Sequence, residues 1–160
     1  MKDEYLTTNF NLSEFTKSDT AVRNCVDNTP SREGIENLRN LCRFVLQPLR
    51  GMLGKPIKIN SGYRGTALNK LVGGSESSQH CKGQAADIEV DGIPTKELAQ
   101  SIIYKYNLPF DQIILEFYDE KQGPNSGWVH ISYASPEANR RQILTAYKNE
   151  QGHTKYKEGL

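Results

Sequence analysis

At 160 residues, 36% of them apolar, the chain suits one domain that buries roughly 68–70% of the surface its unfolded form would expose. Lys plus Arg number 20 and Asp plus Glu 19, and this net charge of +1 excludes a protein that coats nucleic acid or an anionic membrane by charge alone. A mean hydropathy of −0.65, with no apolar run near the ~20 residues a bilayer demands, predicts a soluble protein without membrane insertion.

The opening MKDEYLTTNF places acids and polar groups where a secretory leader needs an apolar run. The expectation is therefore a product made in the cytoplasm without a signal peptide. Cys25, Cys42 and Cys81 cannot all pair within one chain and are read as reduced.

Asn11-Leu12-Ser13-Glu14 has the form of a capping box, with Phe10 and Phe15 as a hydrophobic staple, and predicts a short helix from about residue 12. Thr29 is expected to cap a long helix with Pro30 at its first position. Ile35, Leu38, Leu41, Cys42, Val45, Leu46, Leu49 and Met52 recur along it at helical spacing. Pro48 falls inside that pattern and predicts a kink or an early stop, because it lacks a backbone donor and clashes one turn back. Short strands are expected at 57–60, 86–90, 112–117 and 128–133, with helices at 66–72 and 94–106. Loop 118–127, rich in Asp, Gly, Pro, Asn and Ser, joins the last two strands as an antiparallel hairpin. A helical piece over 138–147 and a loose polar tail over 148–160 complete the pattern, giving a single domain over 1–147. The succession is α+β rather than a regular βαβ alternation.

Strand alternation puts Trp128, His130 and Ser132 on one face and Val129, Ile131 and Tyr133 on the other. The same parity sets Asp87 and Glu89 against Ile88 and Val90, and Gln112 and Glu116 against Ile113, Leu115 and Phe117. If the polar faces belong to one sheet, two imidazoles and a carboxylate converge as a three-ligand zinc site with a fourth position for water. Such water has its pKa lowered toward ~7 and needs a carboxylate to move its proton. Glu116 suits that role because it shares parity with His130 across the hairpin. Arg64 offers a positive fork for a substrate carboxylate or a developing oxyanion.

Ser61-Gly62-Tyr63-Arg64, Leu68-Asn69, Val72-Gly73-Gly74, the run Ser78-x-His80-x-x-Gly83-x-Ala85-x-Asp87, and Trp128-x-His130 together resemble the D-alanyl-D-alanine carboxypeptidase family of zinc peptidases. That family shares a fold group with the vancomycin-resistance D,D-dipeptidases and the zinc-bearing Hedgehog signalling domain. The likeness spans roughly residues 10–147, and Asn28-Thr29-Pro30 and Arg140-Arg141-Gln142 resemble a compact branch found in bacteriophages and Bacteroides-type genomes. The resemblance implies a small antiparallel sheet flanked by helices, and one zinc ion held by His80, Asp87 and His130. It further implies action on peptidoglycan stem peptides, with D-alanyl-D-alanine carboxypeptidase activity first; a monomer is expected. An L-alanyl-D-glutamate endopeptidase and a catalytically inactive zinc-containing binding module are the alternatives. Action on the wall would follow release as a phage or mobile-element product.

Many relatives carry an acid two or three residues before the last histidine, where this chain has Gly127 and Trp128. Glu116 as base therefore rests on parity and on likeness to a branch with an acid ending the preceding strand, with Asp119 and Glu120 in reserve. Arg64 has an alternative as a structural partner of Glu76 or Glu89. Ser78 either orients substrate or satisfies its own loop, and Trp128 either walls the cleft or fills core. Cys81, next to a ligand on what reads as an extended chain, should point away from the metal.

Overall fold

The computed structural model describes residues 3–160. Strands β1 (Tyr5–Thr7) and β2 (Phe10–Asn11) pair antiparallel as a small sheet, and helix α1 (Leu12–Thr16) follows at once. Its start is set as the sequence predicts. The Asn11 N–H donates to Glu14 Oε2 at 2.8 Å, while the buried Phe10 and Phe15 rings lie 6.1 Å apart. A second short helix, α2 (Asp19–Arg23), capped by the Ser18 hydroxyl, is an addition to the sequence reading.

The long helical run begins two residues later than expected. Ser31 Oγ accepts the Gly34 N–H at 3.1 Å, whereas the Thr29 hydroxyl is spent on Asp27 at 2.7 Å. Helix α3 (Arg32–Leu41) passes through a π-helical turn (Cys42–Leu46) into α4 (Gln47–Leu53). Pro48 explains the wide turn: the Gln47 N–H bonds the Cys42 carbonyl five residues back. The missing donor thus falls in the first turn of α4, where it is tolerated. The predicted break is a bulge in a continuous run. Leu38, Leu41, Cys42, Val45, Leu46 and Leu49 are fully buried along it.

The main sheet has six strands in the order β3-β4-β6-β5-β7-β8. They are β3 (Lys58–Ser61), β4 (Ala85–Glu89), β5 (Gln112–Glu116), β6 (Trp128–Ser132), β7 (Gln142–Lys148) and β8 (Thr154–Glu158). All neighbours are antiparallel except β5 and β7, which run parallel. The sheet is therefore mixed, which corrects the purely antiparallel expectation while the α+β class stands. Two further corrections concern the C-terminal part. The stretch expected to be helical over 138–147 forms most of β7 instead, and the tail expected to be loose folds back as β8. Ile143, Thr145, Tyr147 and Tyr156 are β-branched or aromatic, and such residues favour a pleated strand once a partner edge is present. The boundary expected at 147 lies inside β7, so the sheet crosses it.

Ile59, Ile88, Ile113, Val129 and Ile131 on one face join Leu38, Leu46, Leu98 and Ile102 in one apolar core. Helix α6 (Thr95–Gln100) and its π-helical extension (Ser101–Lys105) supply the last two. Helix α5 (Thr66–Leu71) sits between β3 and β4 in sequence. Among the described residues no helix is long and apolar enough to cross a membrane.

Candidate metal centre

His80 stands on a 3-10 turn (Gln79–Lys82) just before β4. Ser78 Oγ accepts the His80 N–H at 3.3 Å and so caps that turn. Gly83 ends the turn at φ +72°, a left-handed value that glycine takes without strain; any side chain there would strike the Gly34 carbonyl. The imidazole is steadied from behind: Nδ1 lies 2.7 Å from the Gly62 carbonyl oxygen. With Nδ1–H donating there, the Nε2 lone pair faces forward, the arrangement that orients metal-binding histidines. Gly62 has no substitute, because a Cβ would come within 2.7 Å of Phe15 Cα and its carbonyl oxygen.

Asp87 and His130 are direct partners in the antiparallel β4–β6 ladder. Asp87 Oδ1 lies 3.2 Å from His130 Nδ1 and 3.4 Å from His80 Nε2, and donor atoms of all three residues lie within 4.8 Å of one another. Around tetrahedral zinc with bonds near 2.0–2.1 Å, ligand atoms are about 3.3 Å apart, which is the spacing of Asp87 Oδ1 from each imidazole. Two imidazoles and a carboxylate, with one side open to a cleft, also match the donor set of hydrolytic zinc sites. His80 and His130 are only 2% and 7% exposed. Burial would raise the Asp87 carboxyl, but hydrogen bonds and charge from both histidines outweigh it and hold the group well below its ordinary range. Asp87 is thus ionised as metal binding requires.

The three donors open on a cleft of about 880 Å³. Glu116, Arg64, Trp128 and Ser78 line it as well. In the β5–β6 ladder Ile114 faces His130 and Glu116 faces Trp128, so Glu116 shares the face of the imidazole. Burial and the nearby Asp87 charge push the Glu116 carboxyl up to about 7, against the pull of His130 and Arg64. Asp119 instead caps the loop's 3-10 turn (Glu120–Gln122) through the Lys121 N–H; neither Asp119 nor Glu120 lines the cleft.

Among the described residues no ion pair joins Arg64 to Glu76 or Glu89; Glu89 accepts from Asn60 at 2.7 Å. Arg64 Nε is buried without a hydrogen-bond partner. Trp128 is a half-buried cleft wall, set edge-on to Phe117 at 5.4 Å. Cys81 lies on the 3-10 turn rather than an extended chain and stays outside the donor group; all three cysteines are free thiols.

One residue that the sequence reading omits organises the centre. Asp111 is 2% exposed. It accepts the Arg140 backbone N–H at 2.9 Å, Arg140 Nε at 3.0 Å and Nη2 at 2.6 Å, and Gln79 Nε2 at 2.9 Å. It therefore ties the turn carrying His80 to the segment that enters β7. No local pattern betrays it, since its partners are 29 and 32 residues away.

A family model described as Peptidase M15 matches residues 8–132, a span holding His80, Asp87, His130 and Glu116. A 44-residue stretch, 27% of this chain, is 46% identical to the zinc D-Ala-D-Ala carboxypeptidase of Streptomyces albus G. That stretch spans only 17% of the relative's length. With the match covering most of the sheet and every donor of the cluster, the chain belongs to the peptidase M15 family.

Proposed function

We propose that this chain is a zinc metallopeptidase that hydrolyses an amide bond in bacterial peptidoglycan stem peptides, with the D-alanyl-D-alanine bond as its first substrate. The observation that carries the reading is that Glu116 lines the same cleft as the His80–Asp87–His130 cluster. A carboxylate beside the cluster supports a hydrolase over a module that merely stores zinc, because the metal-bound water of a hydrolase needs a group to move its proton. The Hedgehog/D,D-peptidase fold group belongs to the same reading, supported by the α+β sheet that presents the cluster on one face.

His80, Asp87 and His130 would hold the ion, which when bound supplies Lewis acidity and lowers a water's pKa toward about 7. Glu116, held near neutrality by its surroundings, accepts the proton of the attacking water and returns it to the leaving amine. Arg64, with a buried Nε free of partners, steadies the negative charge on the carbonyl oxygen or a substrate carboxylate. Trp128 excludes water from one side of the cleft.

Digestion of intact peptidoglycan by the zinc-loaded protein, with products weighed by mass spectrometry, tests this. Release of D-alanine is the expected result. Cleavage between L-alanine and D-glutamate would move the activity to the endopeptidase alternative, and stoichiometric zinc with no product between pH 5 and 9 would leave the binding module.

A further inference from the structure

The cleft extends beyond the metal cluster, and its far wall comes from β7 and β8, which lie outside the residues matched by the family model. Pairing in the sheet supplies a ruler. His130, Ile114 and Leu144 are neighbours across β6, β5 and β7, and Trp128, Glu116, Ala146 and Tyr156 form the next row across to β8. Cross-strand partners point to the same face, and Ile114, Leu144, Glu116 and Tyr156 all line the cleft.

Strands are spaced about 4.8 Å apart, so Tyr156 lies about 14 Å across the sheet from the strand bearing His130. An extended peptide advances about 3.3 Å per residue. A dipeptide therefore spans about 7 Å, and reaching Tyr156 takes about four residues. Between His130 and Tyr156, Ile114 and Leu144 supply apolar lining to the cleft. Tyr156 is 57% exposed, yet burial and the Glu116 charge both raise its phenol, so the ring stands along the cleft within reach of Glu116's field.

We propose that the β7–β8 hairpin is a substrate-binding wall, in which Leu144 and Tyr156 hold peptide residues about three and about four positions from the metal cluster. The inference rests on the peptidase reading and adds to it the residues that hold the part of the peptide beyond its terminal dipeptide. Leu144 supplies aliphatic surface and Tyr156 an aromatic face, and neither needs a particular polar group on the peptide.

The test uses the full-length zinc-loaded protein carrying Glu116→Gln, so that bound peptide persists, and synthetic peptides of two to five residues ending in D-alanyl-D-alanine. Calorimetry is expected to give about tenfold tighter binding of five residues than of two. Tyr156→Ala and Leu144→Ala are each expected to shrink that ratio severalfold, whereas Tyr156→Phe and Tyr147→Ala, the latter on the opposite face, preserve it. Affinity independent of length, equal weakening at all lengths in Tyr156→Ala, or no binding of any peptide would overturn the wall. Hydrolysis of the same peptides by the protein with Glu116 intact separates the two readings. Absent cleavage with the length dependence intact defeats the D-alanyl-D-alanine reading and leaves the wall, whereas cleavage without length dependence defeats the wall alone.

Discussion

Asp87 and His130 face each other across adjacent antiparallel strands, with carboxylate Oδ1 3.2 Å from imidazole Nδ1. The ladder fixes this pair, so little ordering remains to be done when an ion arrives. Asp87→Ala is expected to weaken zinc binding more than 100-fold, beyond the 10–100-fold usual for losing an outer hydrogen-bond partner of a ligand. Competition against a chromophoric chelator measures this. In the unaltered protein, zinc at 100 times its Kd adds about 2.7 kcal/mol of stability, so chelation lowers Tm; Asp87→Ala is expected to abolish that shift.

Glu116→Gln keeps shape and removes the proposed base. It is expected to lower kcat by 10²–10⁴-fold with zinc content unchanged by elemental analysis. Because a proposed base must be ionised to take a proton, activity is expected to rise with pH through an acidic limb. The metal-free carboxyl titrates at about 7, and zinc loading moves the limb lower because a cation stabilises the carboxylate. A kcat profile whose limb survives in Glu116→Gln would assign it to another group.

The same carboxyl makes metal-free stability depend on pH. Its folded pKa of about 7 exceeds its ordinary 4.5, so its contribution is fully present below 4.5 and is lost as pH rises through about 7. Thermal melts of the metal-free protein are expected to show Glu116→Gln gaining Tm over the unaltered chain at pH 8 relative to pH 4.

Gly62→Ala drives a methyl group into the Phe15 backbone and displaces the carbonyl that holds His80 Nδ1. Overpacking of this kind costs typically 1–3 kcal/mol. A fall in chemical-denaturation stability accompanied by weaker zinc binding is expected; a fall in stability alone would show that the carbonyl does not orient the ring.

Asp111→Asn removes the charge that gathers Arg140 and Gln79. Hydrogen bonds to charged groups contribute about 1.5–3 kcal/mol, and exposure of the Arg140 side chain places the loss toward the lower end. Denaturant midpoints are expected to fall accordingly. Zinc affinity should drop as well, since the His80 turn loses its anchor.

The His80–Asp87–His130 cluster and Glu116 were legible in the chain as candidates because each stands on a short, strongly patterned segment. Period-two alternation marks Asp87, Glu116 and His130, and the spacing from Ser78 to Asp87 marks the turn that offers His80. Gly62 was visible only as part of a motif. Its reason, backbone contact with Phe15, requires the fold. Asp111 gave no local signal, Arg140 stood out only as part of a motif, and β7 and β8 read as helix and tail because their stabilising partners lie on other strands.

What the order of amino acids determined by itself was the set of local periods: which faces are apolar, where turns must fall and which side chains can bind metal. These follow from backbone geometry and side-chain chemistry within a few residues. The tertiary structure decided strand order, the parallel β5–β7 pair and the wall that lengthens the cleft. Those depend on edge pairing and burial between distant segments, where free energy accrues only once the sheet has assembled.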